Sequence, residues 1–510
     1  MMQRWREHFA QHPSQALADL FSGRARISAA GRLDTPELLL RAFPDTPEWA
    51  SARAQLDSAL LDCLTEMRRH YRAQVDRLGY AVYALRLCHA LRAVQLLDLP
   101  RSTHQLREHA SHWLPWLTPL RLAPERDPAL ECWRLLSQRQ PDHSQLPDWL
   151  RLAEPLALDS GQTLPDVRIA YRSWGQLSAA GDNAVLVCHA LTGSADADVW
   201  WAPLFGPGRT LDPSRDFIVC ANALGSCYGS TGPASPAPDG QRWGARFPVI
   251  TVRDQVRAHM RLADHLGIRR IRFVIGGSMG GLAALEWALL DPARVGAMVS
   301  IAASGRHSAW CMAWSEAQRL AIAADPNFRG GDYPPHDPPD AGLAAARAMA
   351  MVGYRSPASL EHRFGRATTQ ALFANGGGGE PAIRSWLRHH GRALTQRFDA
   401  NSYLTLLNAM DSHDLGRQRG VYESVLRRIT QPVLIGSVIS DALYVPAEQH
   451  TLAFLLPRGE LFEIDSEHGH DGFLIDAARF EPRVRRFVER LPADGAPASS
   501  PPASQLRYAW

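Results

Sequence analysis

Lysine is absent from this 510-residue sequence, in which all 55 Lys/Arg positions are arginine. Its absence excludes a lysine Schiff base, a lysine nucleophile and the lysine of a phosphate-binding P-loop. Long apolar runs are also lacking, and none approaches the roughly 18 residues that a membrane-spanning helix needs. The net charge of +3 is nearly neutral, so no strong basic field favours nucleic acid as a partner.

Cysteine is scarce, with seven residues scattered along the chain. No two of them have the C-x-x-C spacing of a zinc ribbon or a thioredoxin-like site, so we expect no metal. The odd number and the spacing favour reduced thiols over a disulfide framework. Residues 1–20 lack the apolar stretch of a secretory signal. We therefore expect a cytoplasmic protein.

The chain divides into three regions by pattern. In residues 1–145 apolar side chains recur at helical spacing, which predicts an all-helical N-terminal domain of unknown role. A packing or oligomerisation module is the simpler interpretation, and a regulatory or partner-binding module is the alternative. In residues 146–490 strands alternate with helices, which indicates a mainly parallel sheet covered on both faces. Residues 491–510, rich in Pro, Ala and Ser, predict a flexible tail.

The second region shows seven apolar segments that predict strands, at residues 167–171, 184–188, 217–220, 271–275, 295–301, 432–438 and 461–464. Residues 256–266 and 282–289 predict helices among these strands. Between about residues 304 and 428 the pattern is helical with long loops, which is typical of a lid inserted between two strands. Within it, residues 376–379 are four glycines, interpreted as a flexible loop rather than a phosphate site.

Residues 276–281, GGSMGG, carry the clearest chemical signal. They fit G-x-S-x-G between an apolar strand and an Ala/Leu-rich helix, which is the arrangement of a nucleophile elbow. The serine must sit on a tight strand-to-helix turn, so small residues must flank it. The helix N-terminus then helps to stabilise developing negative charge. Ser278 is therefore the candidate nucleophile.

A serine nucleophile needs a base and an orienting acid, which follow it in this architecture in the order Asp or Glu, then His. Asp441 comes directly after the predicted strand 432–438, at an edge where such sites form. His470 follows the predicted strand 461–464 by one short loop. His468 lies two residues away, and spacing alone does not choose between the two histidines.

Two backbone amides are predicted to bind the oxyanion. One belongs to Met279, the residue after the nucleophile. The other should come from residues 189–193, HALTG, which follow the predicted strand 184–188, and Leu191 is our candidate.

Six blocks of sequence in their shared order resemble the homoserine O-acetyltransferase family of α/β-hydrolase-fold acyltransferases. The resemblance spans residues 156–487. It implies an α/β-hydrolase fold with a helical lid insertion, preceded here by the all-helical N-terminal domain. The blocks are CHALTG (188–193), NALG with GSTGP (222–225 and 229–233), FPVITVRD (247–254), GGSMGG (276–281), RFDANSYL (397–404) and GHDGFL (469–474).

The resemblance implies a ping-pong mechanism. Ser278 takes an acyl group from an acyl-CoA, with His470 as base and Asp441 holding the imidazole, and the hydroxyl of a small amino acid then attacks the acyl-serine. Family position selects His470 over the neighbouring histidine. It also assigns Arg347 to the α-carboxylate and Asp471 to the α-ammonium, a pairing that suits both charges. No cofactor is implied beyond the CoA substrate. The lack of long apolar runs argues against a membrane partner, and the extra helical module of residues 1–145 leads us to expect a homodimer.

The sequence does not decide which amino acid is the acceptor or which acyl-CoA is the donor. Residues 304–311 and 354–356 resemble the fungal-like branch, where both homoserine and serine serve as acceptors. A succinyl donor would need a cation near the acyl pocket, for which Arg306 and Arg355 are candidates. Acetyl transfer to homoserine for methionine biosynthesis is the main hypothesis. The alternatives are a serine O-acetyl- or O-succinyltransferase of cysteine biosynthesis, a serine esterase or thioesterase, and a non-catalytic scaffold acting through its N-terminal module.

Overall fold

The computed structural model describes residues 148–335, 337–368 and 380–492. An eight-stranded sheet forms the centre of this part, and two further short strands form a separate antiparallel pair.

The strands in the described residues are β1 (Asp148–Arg151), β2 (Leu156–Ala157), β3 (Thr163–Leu164), β4 (Arg168–Trp174), β5 (Ala184–Cys188), β6 (Phe217–Ala221), β7 (Ile271–Gly277), β8 (Met298–Ile301), β9 (Val433–Val438) and β10 (Gly459–Ile464). The strand order in the large sheet is β1-β4-β6-β5-β7-β8-β9-β10. Its last six strands, β6-β5-β7-β8-β9-β10, are parallel to one another, whereas β4 is antiparallel to both of its neighbours, β1 and β6. Strands β2 and β3 form the separate pair. The α-helices are α1 (Ala197–Trp200), α2 (Val252–His265), α3 (Met279–Leu290), α4 (Ala309–Ala323), α5 (Asp340–Gly353), α6 (Pro357–Phe364), α7 (Ala382–Thr395), α8 (Ala400–Asp411), α9 (Tyr422–Leu426), α10 (Pro446–Leu455), α11 (Gly472–Ile475) and α12 (Ala477–Glu489).

Both faces of the sheet are buried, and each belongs to its own apolar cluster. Along β5, Leu186 packs with the cluster that includes α2 and α3, while Val185 and Val187 pack with the cluster that includes α12. A strand covered on both faces has no polar side to show, which explains why β5 is a continuous apolar run. No helix within the described ranges combines the length and the apolar character needed to cross a membrane.

The chain between β8 and β9 contributes the helices α4 to α9, and a buried arginine of the core holds its end in place. Arg253 in α2 donates from Nη2 to the carbonyl oxygens of Asp414, at 3.0 Å, and Arg417, at 2.5 Å. Its Nε donates to Glu286 Oε1 in α3 at 3.2 Å. Because the guanidinium is buried, losing one of the two carbonyl acceptors would leave a buried donor without its full set of hydrogen bonds, so the contact holds the insertion against α2.

The predicted α/β-hydrolase architecture with a helical insertion is confirmed. The seven predicted strands correspond to β4 through β10, although β8 begins at Met298 rather than Val295. The short strands β1, β2 and β3 were missed, because two to four residues carry too little periodicity to be recognised. The predicted helical domain 1–145, the glycine loop 376–379 and all but the first two residues of the tail 491–510 lie outside the described residues, so those predictions stay predictions.

The turn between β7 and α3 leaves no room for side chains beside Ser278. A Cβ atom on Gly280 would lie 2.0 Å from the carbonyl oxygen of Cys188, at the end of β5. A Cβ on Gly276 would lie 2.2 Å from the carbonyl oxygen of Gly280. Both obstacles are backbone atoms, which move only if the sheet and helix separate. The glycines therefore allow α3 to approach the strand ends on which the site is built.

Gly280→Ala is expected to destabilise the fold by about 3 kcal/mol, the upper range for overpacking. Its Cβ would force α3 away from Cys188. Thermal unfolding followed by circular dichroism measures the effect. Gly353→Ala, whose added Cβ would lie an ordinary 3.5 Å from the ring of Trp314, is the control and should be neutral or slightly stabilising. Equal melting temperatures for the two variants would contradict the close-approach argument.

Candidate active site

Ser278 occupies a strained turn between β7 and α3. Its backbone has φ 55° and ψ −128°, and a positive φ is uncommon for a residue with a side chain. Its amide donates to the carbonyl of Ile301 at the end of β8, at 2.9 Å, which helps to hold this conformation. The strain is stored at the point where the hydroxyl must project from the sheet edge, as is common for functional residues.

A hydrogen-bonded chain joins the three residues singled out by order in the sequence. His470 Nε2 lies 2.8 Å from Ser278 Oγ, and His470 Nδ1 lies 2.7 Å from Asp441 Oδ2. A carboxylate accepts, so Nδ1 carries the proton and Nε2 is the acceptor for the serine hydroxyl. All three side chains are buried.

Asp441 is held in place by the loop that follows β9. Its Oδ1 accepts hydrogen bonds from the amides of Leu443, at 2.8 Å, and Tyr444, at 3.0 Å. Because these two bonds occupy one oxygen, Oδ2 is directed to His470. The carboxylate is thus oriented by its own loop before any substrate arrives.

The pKa of His470 is raised above its usual value by its two acidic neighbours. Burial alone would lower the pKa, because it disfavours the charged imidazolium. Asp441, through its charge and its hydrogen bond, outweighs burial, and the charge of Asp471 adds to the rise. The imidazole is therefore a stronger base than its burial would suggest.

The competing histidine, His468, is turned away from the serine. Its Nδ1 lies 3.1 Å from the hydroxyl of Ser359 in α6. Gly469 lies between the two histidines and has a positive φ of 66°, a conformation that glycine adopts readily. The structure therefore brings His470, and not His468, to Ser278.

The two predicted oxyanion residues lie beside Ser278. Met279 is the first residue of α3, where a helix leaves its amide without an intrahelical partner. Leu191 lines the cavity next to Ser278. The loop carrying Leu191 is braced by His189, whose Nε2 accepts from the amide of Ala223 at 2.9 Å, and by Arg397, which donates to the carbonyl of Thr192 at 2.9 Å.

A cavity that is partly open to solvent adjoins Ser278. Helices α4, α5 and α8 of the insertion supply most of its walls. The lining residues are Leu191, Ser278, His307, Cys311, Trp314, Ser315, Gln318, Ala350, Gly353, Tyr354, Leu407, Met410, Leu443 and Tyr444. No arginine or carboxylate is among them. Burial raises the pKa of the Cys311 thiol to about 12 and lowers the pKa of His307 to about 4, so both are neutral at pH 7.

Charged groups lie beside His470. Asp471 is partly buried, and Arg355 Nε lies 3.0 Å from its Oδ2. Burial raises the pKa of Asp471, while the charges of Arg355, Arg347 and His470 oppose that rise. The guanidinium of Arg347 lies 5.5 Å from the ring centre of Tyr354. Among the described residues no carboxylate forms an ion pair with Arg347.

Sequence reasoning did not single out the aromatic residues around His470. Tyr444 stacks on the imidazole, with ring centres 5.5 Å apart and an interplanar angle of 29°. Tyr354 and Phe473 pack against it from other sides, at 5.6 Å and 5.4 Å. Tyr444 and Phe473 each lie three residues from a triad position, but that spacing does not show that their rings turn back onto the histidine.

The described residues contain no candidate metal site. No group of three or more His, Cys, Asp or Glu among them is placed to hold a metal ion. The four cysteines in these ranges, Cys188, Cys220, Cys227 and Cys311, are free thiols.

Known proteins share this fold and much of this sequence. A family model described as the alpha/beta hydrolase fold matches residues 183–477. Homoserine O-acetyltransferase from Chloroherpeton thalassium is 51% identical over 67% of this chain and 89% of its own. The crystal structure of homoserine O-acetyltransferase from Bacillus anthracis superposes with a TM-score of 0.63 at 25% identity, covering 68% of this chain and 98% of its own. Esterase E22 gives a TM-score of 0.62, also at 25% identity, covering 68% and 100%. The chain belongs to the homoserine O-acetyltransferase family of the α/β-hydrolase fold.

Proposed function

We propose that this protein transfers an acetyl group from acetyl-CoA to the hydroxyl of L-homoserine, a step of methionine biosynthesis, through an acetyl-Ser278 intermediate. The observation that carries the proposal is the hydrogen-bonded chain from Ser278 through His470 to Asp441. Relatives about half identical to the chain bear the name of this activity, as the Chloroherpeton thalassium protein does at 51% identity.

In the first half-reaction Ser278 Oγ attacks the thioester carbonyl. His470 Nε2 takes the hydroxyl proton, and Asp441 stabilises the imidazolium that forms. The amides of Met279 and Leu191 donate to the oxyanion of the tetrahedral intermediate. His470 then returns the proton to the departing CoA sulfur as the C–S bond breaks, which leaves acetyl-Ser278.

In the second half-reaction the homoserine hydroxyl attacks acetyl-Ser278. His470 accepts its proton and then donates it to Ser278 Oγ as the ester bond to the enzyme breaks. The same two amides hold the second oxyanion. The insertion helices α4, α5 and α8 wall the cavity and limit the access of water, which would otherwise hydrolyse the intermediate.

We assign the amino-acid ends of homoserine to Arg347 and Asp471. Arg347 has no carboxylate partner among the described residues, so its guanidinium is available for the α-carboxylate. Arg355 contacts Asp471 through Oδ2, and we assign Oδ1 to the α-ammonium. The partly buried carboxylate of Asp471 gains a second cation in this way, which favours its ionised form.

The cavity favours an acetyl over a succinyl group. A succinyl carboxylate would need a cation, and none of the cavity-lining residues supplies one at neutral pH. Both arginines considered for that role are engaged elsewhere. Arg306 stacks on the ring of Tyr422, 3.6 Å from its centre, and Arg355 pairs with Asp471.

Serine differs from homoserine by one methylene, which a pocket discriminates by only about 1–3 kcal/mol. The likeness to esterase E22 keeps hydrolysis as the second candidate function. The two are distinguished by whether product formation depends on the acceptor. We further propose that the protein acts in the cytoplasm, which its free cysteines support, and that it forms a homodimer, which the helical pattern of residues 1–145 favours.

Wild-type protein is expected to release thiol from acetyl-CoA only when homoserine is present. Ser278→Ala should lose this activity by roughly 10³-fold or more, because no other group can carry the acyl chain. The assay pairs acetyl-CoA or succinyl-CoA with homoserine, serine or no acceptor. Thiol release without any acceptor would show that the protein is a hydrolase rather than a transferase. Faster thiol release from succinyl-CoA than from acetyl-CoA would contradict the argument from the uncharged cavity.

Arg347→Gln should raise the KM for homoserine by about ten- to a hundredfold, the loss of a charge-assisted hydrogen bond. The rate at which acetyl-CoA acylates the enzyme should change little, because Arg347 contacts only the acceptor. Steady-state kinetics with each substrate varied separates the two effects. Arg306→Gln is the control, since its guanidinium stacks on Tyr422. An equal rise in the KM for acetyl-CoA would contradict the assignment.

Asp441→Asn should lower the pKa of His470, because the carboxylate is what outweighs burial. The imidazole then stays neutral to lower pH, so the acidic limb of the pH–rate profile shifts to lower pH. The maximal rate should also fall, by roughly 10³- to 10⁴-fold, since the histidine loses its orienting partner. Exposed Asp465→Asn should leave the limb in place. A shift of the acidic limb to higher pH in Asp441→Asn would contradict the electrostatic argument.

A further inference from the structure

Tyr444 contacts both of the residues that support Ser278. Its backbone amide donates to Asp441 Oδ1 at 3.0 Å, and its ring stacks on the imidazole of His470, with centres 5.5 Å apart. The side chain is buried, so its position is set by protein contacts rather than by solvent. A movement of Tyr444 would therefore disturb the acid and the base together.

The hydroxyl of Tyr444 is bound by a histidine from another part of the chain. His307, between β8 and α4 at the start of the insertion, places Nδ1 2.9 Å from Tyr444 Oη. The His307 amide donates to the carbonyl of His413 at 2.9 Å, which fixes its backbone against the far end of the insertion. The insertion thus reaches the catalytic histidine through a tyrosine of the core.

The charge state of His307 suits it to accept this hydrogen bond. Burial lowers its pKa to about 4, although Asp411 opposes the effect and Arg319 adds to it. Its Nε2 lies 3.4 Å from Asp411 Oδ1, and Arg319 forms an ion pair with the same carboxylate. A proton on Nε2 faces the carboxylate, so Nδ1 is left to accept from the Tyr444 hydroxyl.

We propose that His307 is a positioning residue, which fixes Tyr444 against the imidazole of His470 and thereby keeps that ring aligned between Ser278 and Asp441. The inference rests on the proposed function only in taking His470 as the base. The base must keep both hydrogen bonds while it takes and returns a proton, and a misplacement of 1 Å can cost about a hundredfold in rate. The face of Tyr444 also favours the imidazolium that forms in each half-reaction.

Three variants separate this role from simple packing. Tyr444→Phe keeps the ring and removes the hydroxyl, and His307→Leu removes the acceptor. His307→Asn places an amide oxygen where Nδ1 stood and should restore part of the bond. We expect Tyr444→Phe and His307→Leu each to lower kcat for acetyl transfer about five- to tenfold with KM for homoserine unchanged, and His307→Asn to fall between them and the wild type.

The double variant His307→Leu/Tyr444→Phe tests whether the two residues act as one unit. If His307 acts through the tyrosine hydroxyl, the double variant should have a kcat no lower than that of the slower single variant. Tyr333→Phe is the matched control, because it also removes a buried hydroxyl, one that donates to Asp399 at 2.8 Å away from the cavity lining. It should lower the melting temperature comparably and leave kcat unchanged.

Labelling of Ser278 by a fluorophosphonate, followed by mass spectrometry, makes the test independent of the substrates. Oγ displaces fluoride from phosphorus while His470 takes its proton, so the rate reports the alignment of the pair. The labelling rate should fall in the same order as kcat. If homoserine acetylation is absent from the wild type but labelling still slows in the variants, the proposed function fails and the positioning role stands.

Three outcomes would overturn the proposal: unchanged kcat with a lower melting temperature, additive losses in the double variant, or a raised KM for homoserine with kcat intact. The last would place His307 in contact with the substrate, since it also lines the cavity.

Discussion

The close approach of α3 to the end of β5 is the constraint on which the site depends. Gly280 lies so near the carbonyl of Cys188 that no side chain fits between them. This contact brings the N-terminus of α3, the strained turn at Ser278 and the loop carrying Leu191 to one point. The positions of Ser278, Met279 and Leu191 are thus set by backbone packing.

The helical insertion completes the site that the sheet begins. Its end is fixed to α2 by Arg253, and its helices wall the cavity beside Ser278. It also supplies Arg347, and Arg355, which pairs with Asp471 next to His470. The neighbouring residues 470 and 471 thus contact different parts of the site: His470 contacts Ser278, and Asp471 contacts Arg355 of the insertion.

Charge is distributed unequally around Ser278. The cavity lining is uncharged at neutral pH, whereas Arg347, Arg355 and Asp471 lie at its side near His470. An acetyl group needs only apolar contacts, and an amino acid needs both signs of charge. This separation of charge fits the proposed function, in which the two groups occupy the site in turn.

The sequence by itself determined the fold class, the elbow and the order of the triad. Those features depend on local patterns: apolar strands such as β5 and β7, small residues around Ser278, and polar residues directly after β9 and β10. The parallel sheet then brings the carboxyl ends of these strands to one edge, so the three residues meet without further information.

Only the tertiary structure decided which way side chains on loops point. Spacing does not distinguish His470 from His468. It also leaves Arg306 and Arg355 as possible ligands of a succinyl group, whereas in the structure Arg306 stacks on Tyr422 and Arg355 pairs with Asp471. The contact between His307 and Tyr444 joins residues 137 positions apart. Loop direction is set by long-range packing and positive-φ turns such as that at Gly469, which no short window of sequence encodes.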